Sequence, residues 1–331
     1  MAMALERPPR MRTADGAVRR VGVEIEFSGL DLDVAVHLLR DLYGGDIEQQ
    51  DRHRFAVTGT ALGCIEAELD ATYAHPRGQQ AGPGDAPASN IKDKLATFQD
   101  KLATTVGDVV SLWMPYEVVT PPIEIERLPE IDRLITALRE NRAKGTRSSL
   151  LYGFGLQLNP DVPSIEADDL CRHLQAYLVL SPWLRAEIDV DPTRRILPFA
   201  DAFPTAYTDK VLTPAYRPNL SGLIDNYLAH NATRNRELDL LPLFAFIDPE
   251  RVSRAVPDAK IKSRPTFHYR LPNSRVDEPE WDGVVEEWNR WVRVERLACD
   301  QRRLDQALYA YRTHRTTEED WVARSRQWLI D

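Results

Sequence analysis

Gly22-Val23-Glu24-Ile25-Glu26-Phe27 is the stretch on which the reading of this chain turns. Between Val21 and Ser28 the odd positions are Val21, Val23, Ile25 and Phe27, and the even positions are Gly22, Glu24, Glu26 and Ser28. Side chains on a strand alternate between its faces, so the pattern predicts a strand over Val18–Phe27 with one apolar and one acidic face. The split recurs downstream. Ile65, Ala67 and Leu69 oppose Glu66, Glu68 and Asp70, and Tyr116 opposes Glu117. Tyr152, Phe154, Leu156 and Leu158 alternate with Gly153, Gly155, Gln157 and Asn159. Phe267, Tyr269 and Leu271 alternate with His268 and Arg270.

An antiparallel sheet with one solvated face accounts for the alternation. Such a face usually mixes Lys, Arg, Thr and Glu, whereas the polar positions of the first strands are almost purely acidic. Like charges on neighbouring strands repel unless a cation lies among them. Three readings stand at this point: a divalent-cation site, a solvated face, or a buried ion-pair network. Gly153 and Gly155 inside a strand mark the close approach of a ligand. Because no helix start follows them, they do not form a dinucleotide fingerprint.

The remaining pattern surrounds the strands with helices. A helix capped by Asp31 stops at Gly44-Gly45, and others are predicted over Asn90–Val110, Pro129–Asn141, 166–180, 219–230, Trp281–Arg312 and Glu318–Leu329. Arg54–Thr58 and Leu62–Asp70 read as a hairpin turning at Thr58-Gly59-Thr60. The Pro/Gly-rich run His75–Ser89 reads as a loop or lid, and 190–218 as irregular. The expected organisation is a disordered leader over 1–17, one domain over 18–275, and a helical extension over 276–331. Trp281, Trp288 and Trp291 are expected to bury that extension against the domain or against a second subunit.

At 331 residues, 43% hydrophobic, 28% charged and a net charge of −9, the chain has the composition of a globular protein and disfavours a nucleic-acid surface. No apolar run approaches the roughly 20 residues of a membrane span. No signal-peptide pattern is present, and a cytoplasmic location is expected. Cys64, Cys171 and Cys299 are too few and too scattered for a disulfide framework or a zinc site, and are expected as buried free thiols. His37, His173 and His230 lack HExxH spacing, and Ser148, Ser149 and Ser221 lack a nucleophile elbow.

The motif at 22–27, followed by Glu117-Val118-Val119-Thr120-Pro121-Pro122, resembles the amidoligase family, related to glutamate–cysteine ligase and glutamine synthetase, over roughly residues 18–275. The fold this resemblance implies is α+β, an antiparallel half-barrel sheet of glutamine-synthetase-like type backed by helices. The implied activity is an ATP-dependent carboxylate–amine ligase that forms an amide or isopeptide bond through an acyl phosphate. Glu24, Glu26, Glu68 and Glu117 would hold Mg²⁺, with Mn²⁺ as an alternative. Arg270, Arg264 and Lys262 would bind phosphate, and Asp70 would orient or deprotonate the amine.

Two positions depart from the family pattern. Gln157 stands where relatives carry the first His of Gly-x-His-x-His, and His268 where they carry the Glu of Glu-x-Arg. Both are expected as metal ligands, an oxygen and a nitrogen donor exchanged across the site. The departures motivate an alternative, a catalytically inactive scaffold that binds nucleotide or peptide. A metal-dependent hydrolase is a third class. The expected partners are carboxylate and amine substrates, peptides and proteins included, without nucleic acid or membrane. The C-terminal helix is compatible with a homo-oligomer.

Overall fold

The computed structural model describes residues 3–69, 115–148, 153–191, 194, 200–314 and 318–329. Asp70, the run 75–89 and the helix expected over 90–110 lie outside the described residues. The strands are β1 (Arg20–Phe27), β2 (Asp46–Asp51), β3 (Arg54–Thr60), β4 (Gly63–Leu69), β5 (Tyr116–Val119), β6 (Ile123–Glu124), β7 (Leu156–Pro160), β8 (Leu238–Asp239) and β9 (His268–Tyr269). They form one open antiparallel sheet in the order β2-β3-β4-β5-β1-β7-β9-β8, with β6 pairing the start of β1.

The expected alternation of β1 holds: Val21, Val23, Ile25 and Phe27 are fully buried. Burying such a side chain contributes roughly 1.5–3 kcal/mol, which makes the orientation of the strand decisive. The helix Leu32–Tyr43 follows β1, and its Leu32, Ala35, Val36 and Leu39 recur at helical spacing and are buried. It ends at Gly44 with φ 73°, as expected from the paired glycines. Gly45 has φ 91°, and a Cβ there would lie 2.3 Å from the Thr58 carbonyl oxygen, so only glycine turns the chain into β2.

The helix Ala167–Ile188 is buried on most of its circumference and packs against the helix Gly283–Cys299. An aromatic cluster joins both to the sheet. Trp291 has ring centroids 5.3 Å from Phe267 and Tyr269 and 6.5 Å from Tyr177. Trp281, Trp288 and Trp291 are buried, as packing against the domain requires. A second tie is ionic. Arg19 is fully buried and donates from both Nη atoms to Glu295, at 2.7 and 2.6 Å, while Trp291 Nε1 donates to the same carboxylate at 2.7 Å. Burial alone would raise the Glu295 carboxyl, but Arg19 more than reverses this and holds it below its ordinary value.

Several expectations are corrected. Within 1–17, expected as a disordered leader, Ala4 and Glu6 are bound to the helix Gly283–Cys299, and Arg10 bonds Asp169. Asn289 exchanges hydrogen bonds with Glu6 N and Ala4 O, Trp288 Nε1 donates to Glu6 O, and Glu6 pairs with Arg293 and Arg296. The helix expected over Trp281–Arg312 is two, Gly283–Cys299 and Gln301–His314; Asp300 separates them and accepts the Arg303 N–H at 2.9 Å. The 190–218 stretch contains the helix Thr205–Val211, and the helices Leu241–Ile247 and Pro249–Ala255 were not foreseen. The β3–β4 turn lies at Thr60–Gly63, two residues later than expected. Cys64 and Cys299 are free but exposed, and only Cys171 is buried. No described helix is long and apolar enough to cross a membrane.

Asp132, on the helix Leu128–Glu140, caps the start of the helix Gly283–Cys299: its Oδ1 accepts the Val284 N–H at 2.7 Å. Burial pushes this carboxyl from an ordinary 3.8 up to about 7, against the opposing pull of the Val284 and Val285 N–H groups. The folded state therefore holds the proton more tightly than the unfolded chain. The cost of ionising Asp132 in place is absent below about pH 4, grows as pH rises, and is complete above about pH 7. Asp132→Asn keeps the acceptor but cannot ionise. Between about pH 4 and pH 8 the unsubstituted protein should lose roughly 2–4 kcal/mol relative to the variant in urea denaturation. Parallel pH profiles for the two proteins would rule this account out.

Candidate functional site

The register of the sheet assembles the acidic face. Glu68 on β4 lies opposite Glu117 on β5, and Glu117 lies opposite Glu26 on β1. Three carboxylates from three adjacent strands thus stand in one row. Glu24, two residues before Glu26 on the same face, lies opposite Gln157 on β7. Strands are about 4.8 Å apart, and two unit charges at that spacing repel by roughly 3 kcal/mol at an effective dielectric near 20. Arg54, opposite Glu68 on β3, relieves one end of the row through an ion pair at 3.3 Å.

The other end is held by hydrogen bonds. Glu26 is only 7% exposed. Its Oε2 accepts the Gly155 N–H at 2.7 Å, and its Oε1 accepts from Gln157 Nε2 at 2.8 Å. Gln157 Oε1 lies 2.7 Å from His268 Nε2. The two residues expected as metal ligands therefore bond each other, and Gln157 also bonds Glu26. Glu24 Oε1 accepts from Asn159 Nδ2 at 2.8 Å and from Arg264 Nη2 at 3.4 Å, and the same Arg264 nitrogen donates to Asn159 Oδ1 at 2.8 Å.

Beyond His268 the charge changes sign. Arg234, Arg264 and Arg270 all act on the buried Asp239–His268 pair, whose Oδ2 and Nδ1 are 3.5 Å apart. Burial, then Arg270, Arg264 and Arg234, hold His268 well below its ordinary value. Burial pushes Asp239 up to about 6, opposed by the Leu241 N–H and by the same arginines. Arg270 is anchored: its backbone N–H donates to Glu237 O at 2.9 Å and its Nη1 to the Arg234 carbonyl. Lys262 is exposed, and no bond among the described residues ties it to this group. Asp70 lies outside the described residues.

The glycine pair has a different explanation from the one expected. A Cβ at Gly153 would lie 2.4 Å from Arg194 Cγ, and one at Gly155 would lie 2.8 Å from Arg194 Nη2. The close neighbour is this chain's own Arg194, whose Nη1 donates to Leu271 O and Nη2 to Arg270 O, both at 2.7 Å. Sequence reasoning missed Arg194, which lies in a proline-rich stretch without period. It also missed Arg234 and Asp239. For Asp239 a signal existed: Glu237-Leu238-Asp239 repeats in miniature the acid–apolar–acid pattern of β1.

Chemically, one end of this face offers hard carboxylate oxygens, the donor type that suits Mg²⁺. The other offers guanidinium groups, which suit phosphate or carboxylate oxygens. Among the described residues no three His, Cys, Asp or Glu side chains converge at metal-ligand spacing; what the glutamates share is a face and a row.

A protein-family model described as "Putative amidoligase enzyme" matches residues 17–293. No curated protein and no solved structure matches the chain. The family match runs from just before β1 into the helix Gly283–Cys299 and takes in every strand of the sheet, and the chain belongs to the amidoligase family.

Proposed function

We propose that this chain is a ligase that joins a carboxylate to an amine using ATP, with the acidic row as its cation site and the arginine group as its phosphate site. The observation that carries the proposal is the in-register row Glu68–Glu117–Glu26, with Glu24 beside it and arginines at the far end of the same face. A solvated sheet gains nothing from like charges placed directly opposite one another, whereas a divalent cation among them converts repulsion into binding.

Mg²⁺–ATP, when bound, supplies the phosphoryl group that activates a carboxylate as an acyl phosphate, and the cation offsets the charge on the phosphate oxygens. Mn²⁺ is an alternative ion. The chain's own contributions follow from its side chains. Glu24, Glu26, Glu68 and Glu117 hold the cation. Asn159 fixes the Arg264 guanidinium beside Glu24, so a cation and a phosphate held here are neighbours. Arg264 and Arg270 bind phosphoryl oxygens, and Lys262, on the exposed loop before β9, adds a mobile positive charge. Asp70, which directly follows β4, takes the amine. Peptide, protein and small amino-acid substrates all fit this chemistry, and a half-barrel sheet of glutamine-synthetase-like type is the architecture that suits it.

Calorimetric titration of the purified chain with ATP, with and without Mg²⁺, is the primary test. Mg²⁺-dependent binding is expected. No binding under either condition would falsify the ligase reading and favour a scaffold. Glu117→Gln separates a cation site from a structural face, because it removes the middle charge of the row. The variant should stay folded, while Mg²⁺-dependent nucleotide affinity falls by about tenfold, or roughly 1.4 kcal/mol. A loss of Tm with unchanged affinity would make the row structural. Arg270→Lys keeps the charge but loses the planar fork. Once a carboxylate and an amine that turn over are found, kcat should fall more than nucleotide affinity, and a normal kcat removes Arg270 from the phosphoryl-binding role.

A further inference from the structure

Glu26 imposes a direction on its neighbours. A carboxylate only accepts hydrogen bonds, so the Gln157 atom 2.8 Å from Glu26 Oε1 is the amide NH₂ group. The amide oxygen then faces His268 Nε2 at 2.7 Å, and since an amide oxygen has no proton to give, Nε2 carries one. His268 Nδ1 is left facing Asp239 Oδ2 at 3.5 Å. Asp239 is itself fixed, its Oδ1 accepting the Leu241 N–H at 2.9 Å at the start of the helix Leu241–Ile247. All four side chains are more than nine-tenths buried. They come from β8, β9, β7 and β1, four successive strands of the sheet.

We infer that Gln157 and His268 form a one-directional hydrogen-bond chain that positions the Glu26 carboxylate for its cation and do not ligate the cation themselves. The inference rests on the cation site proposed above and assigns positioning residues to it. Both Glu26 oxygens are engaged, one by the Gly155 N–H and one by Gln157, so the carboxylate is held in a single orientation before any ligand arrives. Ligands held by partners of this kind lose about 10- to 100-fold in metal affinity when the partner is removed. The chain also makes Gln157 and His268 a matched pair: His at 157 has no NH₂ and oxygen on opposite ends, and Glu at 268 cannot donate to Gln157 Oε1 when ionised.

Nitrogen-15 NMR of the full-length, histidine-labelled protein reads the direction of the chain, with His268 assigned from His268→Gln. A proton on Nε2 that persists when Mg²⁺ is added is expected. An unprotonated Nε2, or loss of its proton on addition of Mg²⁺, means that His268 is a ligand and overturns the inference. Gln157→Glu should lower Tm, because two carboxylates then face each other. The double variant Glu26→Gln/Gln157→Glu exchanges donor and acceptor at the same total charge. It should return most of the lost Tm, and a double variant no better than the single one also overturns the inference. Calorimetry separates the two levels. If the unsubstituted protein binds no Mg²⁺–ATP, the site reading fails and the positioning role with it. If it binds but Gln157→Leu binds equally tightly, the positioning role alone fails; a 10- to 100-fold weakening supports it.

Discussion

The pleat of β1 is the constraint on which the rest of the molecule depends. The strand sits in the middle of the sheet, paired with β5 on one side and β7 on the other. Its odd positions must face the helices, because four fully buried apolar side chains leave no other arrangement of comparable stability. That requirement puts Glu24 and Glu26 on the opposite face whether or not carboxylates are comfortable there. Pairing then extends the consequence sideways, since residues opposite one another in an antiparallel ladder share a face. The acidic row is what the core dictates once those positions are glutamate, and the chemistry of the face follows from a packing decision made on its reverse side.

Much of this was legible in the sequence because period-two alternation survives without knowledge of pairing partners. The apolar sets of β1, β4, β5 and β7 and the carboxylates opposite them were readable residue by residue. Register was not. That Glu68, Glu117 and Glu26 form a row, with Glu24 one step aside, depends on which strands neighbour one another, and no local pattern encodes it. β2 was hidden because Asp46–Asp51 is almost wholly polar and exposed, an edge strand with no buried face to announce it. β8 is only two residues long. The helices Leu241–Ile247 and Pro249–Ala255 are each only seven residues long and carry a proline in the first turn, too short a span for helical period to show. Arg194 could not be found at all, since its role comes from filling the space above two glycines far away in sequence.

The site also shows what geometry adds to residue type. Gln157 and His268 have the donor atoms of metal ligands, and the family pattern at their positions invites that assignment. In the folded chain Gln157 and His268 also bond each other, and burial beside three arginines keeps the imidazole neutral. The glycine pair repeats the lesson, since a close approach was correctly sensed but the approaching group belongs to the protein.

The buried Arg19–Glu295 pair has a consequence for biosynthesis. Its partners are 276 residues apart, and β1 leaves the ribosome long before the helix that completes its burial. Until that helix is made, an apolar strand face and a guanidinium destined for the interior have no permanent cover. Domains with such distant closures fold late and slowly. For much of its synthesis this nascent chain therefore carries apolar strand surface whose final cover has yet to be made.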